Sequence, residues 1–252
     1  SIAFVLGSQT EELLEAISRL AIGLFVPVCW AFQRYVGKEA YALPSKNSFN
    51  PSLLKNMFWS PVGRPMIAFF LNQIGNAFAA TLVVLYITNI LDLEQHIGTF
   101  LGSLFAASAI SVPVWIFCAN RYGSVAVWKV SICICSCTFL VVPFLSSESA
   151  IFYWLACVLA GSCFGADAVL PPAIIGKNAI DPENVDLNSN VAMVFSIKSM
   201  FSKLSLTLPV MIAFPILQLV GFTDGDANSP TSDGWLVFLY AVFPVVFKIS
   251  AF

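Results

Sequence analysis

Two charged residues lie at the ends of long uncharged stretches and are the first candidates for chemistry. Asp167 follows the uncharged run 149–166, and Lys203 precedes the uncharged run 204–223. A charge at the centre of a bilayer costs about 2.5–3.5 kcal/mol on insertion scales, so such a residue is a functional candidate by default. On two antiparallel helices, Asp167 and Lys203 would lie at comparable depth and could pair along a solute or ion path. The alternatives are a purely structural pair, or a Lys203 side chain that reaches the cytoplasmic surface.

Two asparagines provide a second candidate group. Asn72 and Asn76 are four residues apart, so a helix places them on one face. Carboxamides both donate and accept hydrogen bonds, which suits the hydroxyl groups of a sugar. The alternative is hydrogen bonding between helices, worth about 0.6–2 kcal/mol in membranes. The sequence therefore predicts a path lined by Asn72, Asn76, Asp167 and Lys203.

The composition indicates which elements must position these residues. The 252 residues are 58% hydrophobic and only 10% charged, whereas soluble domains are about 25% charged. This indicates an integral membrane protein, and the net charge of −2 argues against nucleic-acid binding by phosphate neutralisation. The uncharged runs do not alternate as barrel strands do, and most are long enough for a membrane helix. The predicted spans are 20–33, 65–91, 98–118, 130–147, 149–175, 204–223 and 234–247.

The loop charges predict the orientation and the domains. Lys and Arg favour the cytoplasmic side, and they occur in segments 34–64, 119–129 and 176–190 but not in the alternate loops. We therefore expect residues 1–33 to end one half of the protein and 34–64 to be a cytoplasmic linker. Residues 65–252 would then form a six-helix transmembrane bundle. Trp59, Trp128 and Trp235 lie near span ends and are predicted to be interfacial anchors.

Other motifs favour structure over catalysis. The nearest candidate for a metal site is the group Cys133, Cys135 and Cys137. On a helix, each of these cysteines is rotated about 200° from the one before it, so their side chains do not converge on a metal ion. The only histidine is His96, and the sequence has no constellation for nucleophilic or acid–base chemistry. We therefore predict no enzyme activity, no catalytic residues and no bound metal or organic cofactor. Gly161 and Gly165 form a GxxxG motif, which permits close helix approach.

Several stretches together resemble the glycoside-pentoside-hexuronide:cation symporters, a branch of the major facilitator superfamily that includes the melibiose permease. Residues 165–175, with the sequence GADAVLPPAII, and then Asn178-Ala-Ile-Asp181 are similar to helix ten of that family and its following loop. Residues 69–76 are similar to the start of helix seven, and residues 120–123 to the basic loop between helices eight and nine. Residues 195–222 are similar to helix eleven, and residues 239–248 to helix twelve.

The resemblance implies an all-α polytopic membrane protein: the C-terminal six-helix half of a major facilitator superfamily fold plus the preceding helix. It implies cation-coupled symport of a sugar or related small polar solute by alternating access. The coupling ion would be Na⁺ or H⁺. The protein would lie in the plasma membrane, in contact with membrane lipid. The missing partner would be the N-terminal half, so we expect the chain to be a fragment. Lys203 matches the family's helix-eleven lysine.

Two departures from the family concern the predicted gating loop. Asn178 stands where the family has an aspartate, so only Asp181 of that acidic pair remains. Ser189, Asn190 and Val191 replace a basic and an acidic residue that precede helix eleven. These changes leave an alternative open, in which the chain is a degenerate or half-size membrane protein. Such a protein would act structurally or with a partner subunit rather than transport a solute.

Overall fold

The structure is a computed structural model, and it divides the chain into two compact units, Ser1–Lys46 and Asn47–Phe252. All elements described below belong to the second unit. Most of the predicted span 20–33 and most of the predicted linker 34–64 lie outside the described residues. The described residues are Pro27, Trp30, Arg34, 57–145, 149–181, 190–224 and 229–251.

Six helices in the described part of the chain are long and apolar enough to cross a membrane. The same residues contain no β-strand, which confirms the predicted all-α, multi-pass fold. In chain order the helices are α1 (Gly63–Asn89), α2 (Ile97–Tyr122), α3 (Ser124–Val141), α4 (Ala150–Ala179), α5 (Val191–Leu219) and α6 (Pro230–Ser250).

The ends of these helices follow from local residue chemistry. Gly123 has φ 90° and separates α2 from α3, a conformation that costs glycine little. Ser229 caps α6 by accepting a hydrogen bond from the Ser232 backbone N–H at 3.2 Å, with Pro230 at the first helical position. Within α6, residues Phe238–Val242 form a π-helical segment just before Pro244. The wider π-helical turn accommodates the Pro244 ring, because a proline ring clashes with the preceding turn of a regular α-helix.

Helix α4 packs against α2 and α3, whereas α1 packs against α5 and α6. Helices α4 and α2 approach each other closely. A Cβ atom added at Gly161 would collide with the carbonyl oxygen of Leu104, and one added at Gly165 with that of Ser108. The predicted role of the GxxxG motif in close helix packing is therefore confirmed.

The core has two apolar clusters. One includes Tyr86, Phe139 and Leu239, towards the Asn89 end of α1, and the other includes Met66 and Ile174, towards the Gly63 end. The buried side chains of Asn72 and Asp167 lie between these clusters, near the middle of α1 and α4. This layer positions the candidate site.

Candidate functional site

The centre of the site is a lysine on α6. Lys248 is fully buried, and its Nζ donates hydrogen bonds to Asn72 Oδ1 at 2.9 Å and to Asn76 Oδ1 at 2.5 Å. Asn76 lies at the midpoint of α1, so the ammonium lies near the middle of the span. Burying an ammonium without partners is very costly, and the two amide oxygens replace part of its hydration.

Asn76 connects this lysine to the predicted carboxylate. Its Nδ2 donates to Asp167 Oδ2 at 2.8 Å and to Gln73 Oε1 at 3.1 Å. An ammonium has only donors and a carboxylate only acceptors. The Asn76 amide is therefore fixed with its oxygen towards Lys248 and its nitrogen towards Asp167.

The second oxygen of Asp167 is also held. Trp128 Nε1 donates to Asp167 Oδ1 at 2.8 Å, and only 7% of Asp167 is exposed. Hydrogen bonds to a charged group are about twice as strong as neutral ones. The prediction that Trp128 is an interfacial anchor is wrong, because its indole is buried beside this carboxylate.

The prediction that Asn72 and Asn76 share one face of a helix is confirmed, since both accept hydrogen bonds from the same ammonium. Their surroundings differ, however. Asn72 is fully buried, and its Nδ2 has no hydrogen-bond partner among the described residues. Of the two, only Asn76 lines the cavity described next. Asn72 therefore contributes to the site through its hydrogen bond with Lys248.

A cavity of about 490 Å³ opens beside this cluster. Gln73, Asn76 and Asp167 form its polar end, and most of the remaining wall is apolar, including Phe105 and Phe164. Pockets for small molecules are typically about 300–1,000 Å³, mostly apolar, with a few polar groups that fix the ligand. The arrangement can therefore orient a small polar molecule by hydrogen bonds at one end.

Tyrosines at the other end of the cavity are held by packing. The hydroxyl groups of Tyr153 and Tyr240 are 2.8 Å apart and hydrogen-bonded. The Tyr86 ring stacks on Tyr240 with centroids 4.3 Å apart, and its hydroxyl donates to the Val142 carbonyl at 3.0 Å. Tyr153 and Tyr240 thus present a rigid aromatic wall to the cavity.

Lys203 lies elsewhere, on an exposed stripe of α5. With Ser196, Ser199 and Thr207 it lines an open groove whose lining residues all belong to α5. No ion pair joins Lys203 to Asp167 in the described part of the chain, so the pair considered from the sequence is not formed. The physical reason is that α5 packs mainly against α1, while Asp167 takes donors from α1 and α3.

The two predicted gating residues lie at the Ala179 end of α4. Asn178 Nδ2 donates to the Pro61 carbonyl at 3.1 Å, which ties this end of α4 to the segment before α1. Asp181 is exposed just beyond the helix. Most of the following loop, 182–189, lies outside the described residues.

Three members of the cluster were not predicted as site residues: Gln73, Trp128 and Lys248. Two of them are polar residues in otherwise apolar sequence, although neither position by itself indicates a site. Gln73 lies next to the two asparagines, and Lys248 interrupts the last apolar run. Their convergence on Asp167 depends on how α1, α3, α4 and α6 pack together.

These features define a multi-pass membrane protein with a polar cluster and a cavity within its helices. The chain matches the family described as MFS/sugar transport protein over residues 13–252. A comparison with curated proteins gave no match. Since the match covers nearly the whole chain, the chain belongs to this sugar-transport family of the major facilitator superfamily. The family is one of transporters rather than enzymes.

Proposed function

We propose that this chain forms the C-terminal half of a cation-coupled sugar symporter similar to the melibiose permease, located in the plasma membrane with segment 34–64 in the cytoplasm. The observation that carries the proposal is the polar end of an otherwise mainly apolar cavity, formed by Gln73, Asn76 and Asp167. The coupling ion would be Na⁺ or H⁺.

The chemistry of this end suits a hydroxyl-rich solute. An ionised carboxylate has about four acceptor positions, and Asn76 and Trp128 occupy two on Asp167. The remaining positions can accept hydrogen bonds from sugar hydroxyls. Gln73 has an amide group with both donors and an acceptor at the same end, and the aromatic wall provides an apolar surface for the ring faces.

The exposed stripe of α5 supports an aqueous path or an interface with the N-terminal half. Lys203 would cost about 2.5–3.5 kcal/mol if it faced lipid at mid-membrane. A face that also carries Ser196, Ser199 and Thr207 is better matched to water or protein. We therefore retain Lys203 as a path residue, separate from the Asp167 cluster, and Asn178 and Asp181 as part of the cytoplasmic gate.

The test is sugar uptake into proteoliposomes that contain the full-length gene product. A panel of radiolabelled glycosides, pentosides and hexuronides is offered with an inward Na⁺ gradient, an inward H⁺ gradient or neither. We expect accumulation of at least one sugar that collapses when the matching gradient is dissipated. A folded protein that takes up no sugar in the panel would instead favour the non-transporting alternative.

A matched pair of variants tests the location of the site. Gln73→Leu removes a polar group from the cavity, whereas Gln218→Leu makes the same change at an exposed position near the end of α5. We expect the first to reduce uptake at least tenfold and the second to leave it unchanged. Normal uptake by the double variant Asp167→Asn, Lys203→Ala would show that the path assignment is wrong.

A further inference from the structure

We infer that Lys248 is a positioning residue of the sugar site, a built-in counter-charge that acts on Asp167 through the Asn76 amide. The role of Asp167 as a sugar acceptor rests on the proposed function; the charge coupling itself does not. Lys248 is on α6, outside the cavity wall formed by Gln73, Asn76 and Asp167.

Asp167 and Lys248 carry opposite charges on either side of the Asn76 amide. Among the described residues, Asp167 and Lys248 are the two side chains with a formal charge that are buried. A buried charge without compensation is strongly destabilising, and removing one partner of a buried pair leaves the other uncompensated. One amide group separates these two charges, so each is the natural counter-charge of the other.

The Asn76 amide has a fixed direction between the two charges. Lys248 binds the Asn76 oxygen and Asp167 binds its nitrogen, so the amide dipole is aligned between the two charges and strengthens both contacts. A direct ion pair would direct an Asp167 oxygen towards the lysine. With the amide between them, the carboxylate faces the cavity and remains available to a ligand.

Close packing of α6 on α1 holds Lys248 in place. Gly75 lies one residue before Asn76, and a Cβ atom added there would be 2.8 Å from the Pro244 carbonyl oxygen and 3.4 Å from Lys248 Cγ. The absence of a side chain allows α6 to approach α1 closely. This contact fixes the position of α6 that brings the ammonium to the two asparagines.

The experiment is a double-mutant cycle on the purified full-length protein, read by thermal unfolding without sugar. We expect Lys248→Met and Asp167→Asn each to lower Tm by about 5 °C or more. The double variant should unfold at a higher temperature than either single variant, because it carries no uncompensated charge. Lys177→Met, at an exposed position of α4, is the matched control and should leave Tm unchanged. Additive losses in the double variant would overturn the inference.

A second variant covers the case in which Lys248→Met does not fold. In the double variant Asn76→Asp, Asp167→Asn the carboxylate moves to the residue that already contacts Lys248. We expect a Tm above that of Asp167→Asn alone, since the counter-charge of Lys248 is restored. An equal or lower Tm would contradict the inference.

Sugar binding separates positioning from simple stabilisation. A purely structural Lys248 would change Tm but leave the sugar Kd of the folded protein unchanged. We expect the folded Lys248→Met protein to bind sugar at least tenfold more weakly than the Lys177→Met control, and an unchanged Kd would overturn the positioning role. If the wild-type protein binds no sugar, the proposed function fails, whereas the unfolding cycle still decides the charge coupling.

Discussion

At the scale of single residues, Asp167 is the point where buried structure meets the cavity. Its two oxygens accept from Asn76 and Trp128, which hold the carboxylate in one orientation. Asn76 is held in turn by Lys248 on α6. A ligand at this end therefore meets an acceptor whose position is set before binding, which lowers the ordering cost of association.

We predict that Trp128→Phe weakens sugar binding by about tenfold. The ring packing is largely kept, but one hydrogen bond to a charged oxygen is lost, and such bonds are worth about 1.5–3 kcal/mol. Trp115→Phe is the matched control, because that indole donates to the Ser162 carbonyl at 2.8 Å and not to Asp167. Equilibrium binding of labelled sugar to both proteins gives the comparison. Equal affinities would show that the Trp128 contact is not part of the site.

The site could be predicted only in part from these residues. Asp167 stands out because a charge follows a long uncharged run, and the spacing of Asn72 and Asn76 predicts a shared face. Lys248 carries no comparable signal, because a lysine at the end of an apolar run usually extends towards the membrane surface. Its burial depends on the close packing of α6 on α1 at Gly75, which is a property of the fold.

At the scale of helices, the sequence predicts where each membrane-spanning helix lies better than it predicts which helices pack together. Uncharged runs locate α1 to α6, but α3 is shifted by six residues from its predicted span, and α5 begins at Val191, well before the predicted 204. The same runs carry no information on whether α5 packs against α1 or α4. For this reason the sequence could not decide whether Asp167 and Lys203 form an ion pair, and in the structure, which describes both residues, they do not. The GxxxG motif was more informative, because glycine spacing reports directly on the approach of another helix.

We predict that Gly161→Ala lowers Tm by several degrees, because the added methyl group meets the Leu104 backbone rather than a flexible side chain. Overpacking of this kind typically costs about 1–3 kcal/mol. Gly102→Ala is the control on the facing helix, since a Cβ atom there has no neighbour within 4 Å. Thermal unfolding in detergent compares the two variants. A Gly161→Ala protein as stable as the control would contradict the close packing of α2 on α4.

At the scale of the whole molecule, the exposed stripe of α5 is a surface with polar residues that the described helices leave uncovered. Lys203 and Ser199 lie on it within a membrane-spanning helix. Val246 on α6 is also exposed but is apolar. This difference predicts that the α5 stripe faces water or the proposed N-terminal half, whereas the α6 surface faces lipid.

We predict that a cysteine at Ser199 reacts with a membrane-impermeant thiol reagent in the full-length protein, and that bound sugar slows the reaction. Val246→Cys is the control and should react at least tenfold more slowly, because the reagent does not enter lipid. Both variants are made in a background whose native cysteines are replaced by serine. Equal labelling of the two positions would contradict an aqueous path along α5.

Asp167, at the polar end of the cavity, is the residue on which the proposed sugar site depends most directly. The most direct measurement is equilibrium binding of a labelled transported sugar to the purified full-length protein. Asp167→Asn is compared with Asp92→Asn, a control at an exposed position with φ 54°, which asparagine tolerates. We predict binding at least tenfold weaker for Asp167→Asn and unchanged for the control. Wild-type affinity in a folded Asp167→Asn protein would contradict the account.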